Sequence, residues 1–354
     1  MSNWNLKMFV LLLCSASCVL VVNLDNLQAK ENPAIVKKEF IFERAPFSSC
    51  HASTIAVSQG HLVAAWFGGD QEGAKNVGIW LSRHDGKQWH APVEVVNGVQ
   101  SETVRYPCWN PVLFQVAGGP LLLFYKVGPK PSSWWGMLVT SNDGGRSWSQ
   151  PKRLPTGILG PVKDKPVMLA DNRLLCGSSS EEHGWQVHME WTDDLGKHWH
   201  RTPPLNDGKK IAAIQPTILC HPNGRIQILC RTRRLHKIAT AWSDDGGKSW
   251  TALEPTSLPN PNSGIDAVAL RDGRFVLVYN HTTRGRSPLN VAVSKDGKTW
   301  QAVAVLEDEP GEYSYPAVIQ SDDGLLHVTY TWRRRRIRHV VLDPTKFQLQ
   351  QPKR

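Results

Sequence analysis

The sequence predicts an all-β fold, a six-bladed β-propeller of four-stranded antiparallel blades, and three observations carry that prediction. The first is a turn that repeats. "SNDGGRSW" at 141–148 returns as "TDDLGKHW" at 192–199, "SDDGGKSW" at 243–250 and "SKDGKTW" at 294–300, with a looser copy, "SRHDGKQW", at 82–89. The closing tryptophans, Trp89, Trp148, Trp199, Trp250 and Trp300, are spaced by 59, 51, 51 and 50 residues; a constant period near fifty in a strand-rich chain marks a propeller. The second is a strand segment upstream of the turns: "HASTI" from His51, "NPVLF" from Asn110, "KPVML" from Lys165, "QPTIL" from Gln215, "DAVAL" from Asp266 and "YPAVI" from Tyr315. The third is that no stretch after residue 30 sustains helical periodicity, while alternating and continuous apolar runs abound.

Taken in chain order, Lys7 precedes an apolar run from Met8 to Val22. The run is short for a membrane span and interrupted by Ser and Cys, which is the pattern of an export signal. Residues 1–29 are therefore expected to be a signal peptide or N-terminal anchor, with no other membrane partner. The protein is expected to be exported: secreted, periplasmic or at the cell surface. Residues 36–348 are assigned to the propeller.

"KKEFIFER" at 37–44 is expected to be the outer strand of blade six, since that blade lacks a turn of the repeated type and has little chain left after "RRRRIRHVVLD". Such closure leaves no free sheet edge. Within each blade, strand one starts at a polar residue and usually continues through Pro, which a ladder tolerates at a strand's first position. A tight turn and a second strand such as "RIQILC" or "RFVLVY" follow. In the repeated turns Ser or Thr and Asp bond turn amides, Gly supplies positive φ, and Trp packs back into the blade. These turns are structural.

The start of strand one and the end of strand two share a face, opposite the repeated turns. The six leading residues His51, Asn110, Lys165, Gln215, Asp266 and Tyr315 are thus expected to ring one mouth of the channel. Lys126, Ser179, Arg231, Asn280 and Thr331, at the ends of strand two, join them. Trp134, Trp135 and Trp185 follow strand two and offer stacking faces for sugars or packing for the core. Convergent polar groups in a concave mouth make the default site.

A net charge of +10 favours anionic partners. The export signal and the lack of a basic–aromatic strip argue against nucleic acid. Beyond the signal lie five cysteines with no Cys-x-x-Cys or His-x-x-x-His spacing, so neither metal nor cofactor is expected. Cys50 and Cys108 fall at nearly equivalent places in adjacent blades. The sequence says nothing of oligomeric state.

The Ser-x-Asp-x-Gly-x-x-Trp turns in this blade order resemble the Asp-box (BNR) repeat family of sialidases and sialidase-like glycosidases, over nearly all of residues 36–345. The resemblance implies an exo-acting hydrolase that releases a terminal acidic sugar from a glycan. It implies arginines on the substrate carboxylate, a Tyr–Glu nucleophile pair and an acidic proton donor. "GRIQILCRT" resembles the segment with the second arginine, at Arg231. "HTTRGRSPLN" resembles the third, at Arg286, with Arg284 second, and "EYSYPAVIQSDDG" the nucleophile segment, at Tyr315, with Tyr313 second.

There are departures. "CHASTI" stands where the family has Arg-Ile-Pro, so His51 replaces the first arginine. "IQPTIL" puts Gln215 where the family has Glu, and an amide cannot act as a base. The acid comes from "FGGDQEG", at Glu72 or Asp70. Arg231, Arg286, Lys165, Asn110 and Asp266 are expected to bind substrate. A phenol with a pKa near 10 needs neighbouring cations to become a nucleophile, and tyrosine nucleophiles depart from the two-carboxylate scheme. With Tyr315 inert, His51 with Glu72 or Asp266 is the acid–base alternative on a uronic-type sugar. A non-catalytic glycan- or protein-binding propeller is the other class.

Overall fold

The computed structural model describes residues 32–348. The signal read at 1–29 lies outside the described residues. Six four-stranded antiparallel sheets follow in chain order. Blade 1 is β2 (Ser49–Ser58), β3 (His61–Gly69), β4 (Gly78–Arg83) and β5 (Val93–Val96). Blade 2 is β6 (Cys108–Gln115), β7 (Leu121–Val127), β8 (Trp135–Ser141) and β9 (Lys152–Arg153). Blade 3 is β10 (Val167–Met168), β11 (Leu174–Ser180), β12 (Gln186–Thr192) and β13 (His200–Arg201).

Blade 4 is β14 (Ala213–Cys220), β15 (Ile226–Thr232), β16 (Lys237–Ser243) and β17 (Glu254–Pro259). Blade 5 is β18 (Asp266–Ala269), β19 (Phe275–Tyr279), β20 (Leu289–Ser294) and β21 (Trp300–Glu307). Blade 6 takes β22 (Tyr313–Gln320), β23 (Leu326–Trp332) and β24 (Arg336–Leu342) from the end of the domain. Its fourth strand, β1 (Ile35–Phe40), comes from the beginning. The closing strand starts two residues earlier than the expected 37–44 and ends at Phe40; Ile41 adds one more bond, its amide donating to Ile337 O at 3.0 Å.

The core lies between blades rather than in one centre. Leu175, Val187 and Met189 of blade 3 pack with Ile226, Ile228 and Ala239 of blade 4, all fully or nearly fully buried. Apolar burial at each interface, worth about 25 cal/mol per Å², is what holds neighbouring sheets face to face. The repeated turns join the third and fourth strands, as expected. In blade 4, Ser243 Oγ donates to Asp245 Oδ1 at 2.9 Å and accepts from Gly247 N at 2.9 Å. Asp245 Oδ1 also accepts from the amides of Lys248 and Ser249. Gly247 has φ +84°, and a Cβ there would stand 2.9 Å from Leu175 in the preceding blade. The turn therefore also fixes blade spacing. All five described cysteines are free.

Four inner strands carry a bulge near the mouth, where the ladder skips two residues: β2 between His51 and Thr54, β6 between Trp109 and Val112, β14 between Ile214 and Thr217, and β22 between Ser314 and Ala317. The first bulged residues, Ala52, Asn110, Gln215 and Tyr315, all have positive φ, 36–58°. Bulges re-aim side chains and increase local twist. Here they turn one side chain per blade toward the axis.

Candidate active site at the mouth of the propeller

Asn110, Gln215 and Tyr315 occupy the ring position that the sequence assigns them. Blade 1 is one residue out: its bulge residue is Ala52, and His51 precedes it. Blades 3 and 5 are two out. Thr54, Thr217 and Asp266 each accept the amide of the next inner strand, from Leu113, Ala267 and Val318, so Asp266 lies at the level of Thr217 and below the bulge. The mouth residue of blade 5 is Gly264. A Cβ there would stand 3.1 Å from Lys163 and 3.3 Å from Tyr315, which places Lys163, not Lys165, beside it.

Lys165 and Asp266 are accordingly not a substrate pair. Lys165 Nζ donates to Asp266 Oδ2 at 2.9 Å and to Ala267 O at 2.8 Å, and Thr217 Oγ1 donates to Asp266 Oδ1 at 2.8 Å. Asp266 is buried with all its lone-pair directions in use, and it serves to tie blades 3, 4, 5 and 6 together. Lys163, also buried, donates to Asp164 Oδ1, Ile265 O and Pro316 O, each at 2.6 Å. Two of those carbonyls lie immediately after Gly264 and Tyr315, so Lys163 supports the floor of the mouth.

Tyr315 is the centre of the arrangement. Its phenolic oxygen accepts from Arg231 Nη1 at 2.7 Å and Gln215 Nε2 at 3.2 Å. The His51 ring lies 4.1 Å from the tyrosine ring, centroid to centroid. The guanidiniums of Arg231 and Arg286 stand 5.5 and 5.9 Å from that ring, and Lys163 Nζ 5.9 Å. Tyr313, the second choice, is in the hydrophobic core of blades 5 and 6, with its hydroxyl turned to Arg333.

His51 is 1% exposed, and its Nδ1 meets Thr331 Oγ1 at 2.9 Å. Burial, reinforced by the charges of Arg334, Arg286, Arg231 and Lys163, pushes the imidazole well below its usual pKa. It is neutral, so it does not supply the cationic contact that replacing an arginine requires. The cation comes instead from Arg334, in the hairpin between β23 and β24. Arg334 Nε donates to Glu312 Oε1 at 2.7 Å and its Nη1 to Glu72 Oε2. Arg286 Nη1 shares the same Glu312 oxygen at 2.6 Å. Burial opposes ionisation of Glu312, but the two arginines hold its carboxyl below the usual range.

The Nη2 groups of Arg286 and Arg334 have no partner among the described residues. Arg231 differs: besides Tyr315 it donates to Gln215 Oε1 at 3.1 Å, to Asn262 O at 2.9 Å and twice to Asn262 Oδ1. Its five N–H groups are all engaged. In the sequence the run "WRRRRIR" reads as a solvated face whose first residues reach the mouth side, with nothing to single out Arg334; the hairpin's return toward the axis does so.

Of the two proposed acids, Glu72 reaches the cluster through Arg334, whereas the carboxylate of Asp70 makes no ion pair among the described residues. Glu181 is a further carboxyl at the mouth. It accepts from Trp185 Nε1 at 2.9 Å, and Trp185 faces the Arg231 guanidinium at 5.1 Å. Burial raises its pKa against that hydrogen bond and the charges of Arg231 and Arg233. Glu190, by contrast, is fully buried under the amides of Leu159 and Gly160 and beside His188. It is structural. The site thus holds three arginines, a phenol, a neutral imidazole and the three carboxyls of Glu72, Glu181 and Glu312. That set can bind an anion and move protons beside it.

A family model described as a BNR repeat-like domain matches residues 60–328. No curated protein matches. Among solved structures, a protein of unknown function from Dyadobacter fermentans is similar with a TM-score of 0.74 at 20% identity, over 88% of this chain and 99% of that one. The intramolecular trans-sialidase of Ruminococcus gnavus, crystallised with oseltamivir carboxylate, has a TM-score of 0.71 at 12% identity, over 90% of this chain and 100% of that one. A Hadza microbial sialidase has a TM-score of 0.72 at 16% identity, over 85% and 66% respectively. At such identities the likeness is one of fold.

Proposed function

This chain belongs to the BNR repeat-like, sialidase-like family, and from that premise we propose that it is an exported exo-acting glycoside hydrolase that releases a terminal acidic sugar from glycans. One observation carries the reading: the Tyr315 hydroxyl lies at the mouth under Arg231, with Arg286 and His51 against its ring. Arg286 and Arg334 offer their remaining N–H groups to the sugar carboxylate, as charge-assisted pairs in a partly buried site. Arg231 holds Tyr315 in place and adds charge behind it; to reach the anion it must release Asn262.

Tyr315, its oxygen held by Arg231 and Gln215, attacks the anomeric carbon and forms the glycosyl–enzyme bond while its phenolic proton passes to water in the mouth; His51 packs against the tyrosine ring and does not serve as the base. Gln215 orients the phenol. Glu181, whose carboxyl burial favours in the protonated form, gives its proton to the leaving oxygen, with Glu72 beside it as the alternative donor. Water then completes the hydrolysis.

The test is to incubate the purified protein with aryl sialosides and aryl uronosides and to detect the released sugar. Release by the wild type, lost in Tyr315→Phe while calorimetric binding persists, is the expected result. Binding without release would favour the second reading, a glycan-binding propeller, for which Gln215 in the base position is the specific support.

A further inference from the structure

The mouth face is electrically divided. The loops joining β15 to β16, β19 to β20 and β23 to β24 in blades 4, 5 and 6 carry arginine at 233, 234, 284, 286 and 333–335 and no acid, and exposed Lys237 follows the first of them. The corresponding hairpins of blades 1 and 3 carry Asp70, Glu72, Glu181 and Glu182. The acids in the basic half, Asp308, Glu309 and Glu312, lie on the single connection between β21 and β22, and Glu312 is already paired with Arg286 and Arg334.

Five of these arginines, Arg233, Arg234, Arg284, Arg333 and Arg335, are exposed. Two are held in place by aromatic faces, Arg233 over Trp185 at 5.6 Å and Arg333 over Trp332 at 4.8 Å. The side chains of Arg234, Arg284 and Arg335 have no ion-pair or hydrogen-bond partner among the described residues. Arginine's planar fork suits bidentate contact with carboxylate and sulfate, and it is less strongly hydrated than ammonium. Arg333 and Arg334 also sit at φ +51° and +59°, where glycine or asparagine is at ease and arginine is not. A crescent of one sign beside a concave mouth concentrates ligands of the other sign.

We propose that this arginine crescent binds the polyanionic remainder of the glycan whose terminal sugar enters the mouth, a chain whose following sugars carry sulfate or carboxylate groups. The identity of that chain rests on the glycosidase reading; the binding of the polyanion does not. The test uses the full protein and the triple variant Arg234→Gln, Arg284→Gln, Arg335→Gln, with a chondroitin sulfate hexasaccharide as the probe. A neutral dextran oligosaccharide, single-stranded DNA of matched charge and phosphatidylserine vesicles are the comparators.

The expected result is salt-sensitive binding of the sulfated hexasaccharide, about tenfold weaker in the triple variant at low salt, with no change in thermal stability. Turnover of a small aryl glycoside should be the same in both proteins. Equal binding by wild type and triple variant overturns the proposal, as does DNA or vesicle binding as tight as that of the hexasaccharide. Crescent-dependent binding in a protein that hydrolyses no aryl glycoside sustains the crescent and sinks the hydrolase reading alone.

Discussion

Tyr315 sits at φ +52°, a backbone conformation that costs an aromatic residue about 1–3 kcal/mol and persists only where its surroundings enforce it. Lys163, which bonds the carbonyl just beyond the tyrosine, and Arg231 and Gln215, which bond its hydroxyl, hold it there. Removal of Arg286 or Arg334 by alanine should weaken binding of an acidic sugar by about 2–5 kcal/mol, read by calorimetry. Arg231→Ala should lower kcat as well, because Tyr315 loses its closest donor; an unchanged kcat would count against its positioning role. Since burial keeps His51 neutral, wild type and His51→Gln should show the same pH dependence of ligand affinity between about pH 7.5 and 5.5. A rise toward acid pH that vanishes in His51→Gln would show instead that His51 meets the anion as an imidazolium. At this scale the sequence named Tyr315, Gln215, Arg231, Arg286 and His51 correctly as neighbours. It did not single out Arg334 from its arginine run or Glu181 from the carboxylates around Trp185, because their roles depend on where hairpins fold back and not on any local spacing.

The turn and the strand are the elements in which the sequence was most and least legible, in that order. The turns could be placed because Asp, Gly and Trp recur at fixed offsets, each with its own bond to make. Gly247→Ala tests how tightly they fit. It adds a Cβ at φ +84° and 2.9 Å from Leu175, so it should destabilise the fold by about 1–3 kcal/mol in urea denaturation. A loss under half of that would show that the blades can shift apart. Inner strands were harder. A slip of two residues keeps the same side chains facing the same way, so "KPVML" and "DAVAL" looked aligned while Lys165 and Asp266 sat one level too deep. The proline of blade 3 misled, because it follows Lys165, whereas the residue at the mouth is Lys163 and is followed by Asp164. In blade 1 the bulge itself breaks the alternation, and the slip was one residue.

For the whole molecule, the ring is closed by β1 on β24, and a histidine cluster lies at that seam. His327 and His339 stack at 5.3 Å, and His339 Nδ1 meets Glu39 Oε1 of the closing strand at 3.0 Å. Burial, with the charge of His339, brings His327 down to about 4; burial also lowers His339, against Glu39. Burial works against the Glu39 carboxylate, yet the hydrogen bonds from His339 and Lys37 hold it at about 2. Between pH 6.5 and 4 the unfolded chain therefore takes up protons at His327 that the folded chain refuses, and stability falls as pH falls through that window. The loss attributable to His327 is on the order of 3 kcal/mol, and Glu39 adds to it below about pH 4.5. Melting temperatures across the range should drop accordingly, with a shallower drop in His327→Gln; parallel curves would locate the acid sensitivity elsewhere. Deleting residues 32–40 should expose the edge of β24 and leave the protein insoluble or readily proteolysed, whereas an unchanged melting temperature would mean that the seam carries no stability. The seam also sets a timetable. β1 is made early and its partner about three hundred residues later, so five blades can assemble one after another while the first strand waits unpaired. Contacts so distant in sequence form slowly, and the interval before the ends meet is when the chain is most open to aggregation or protease, however stable the finished ring.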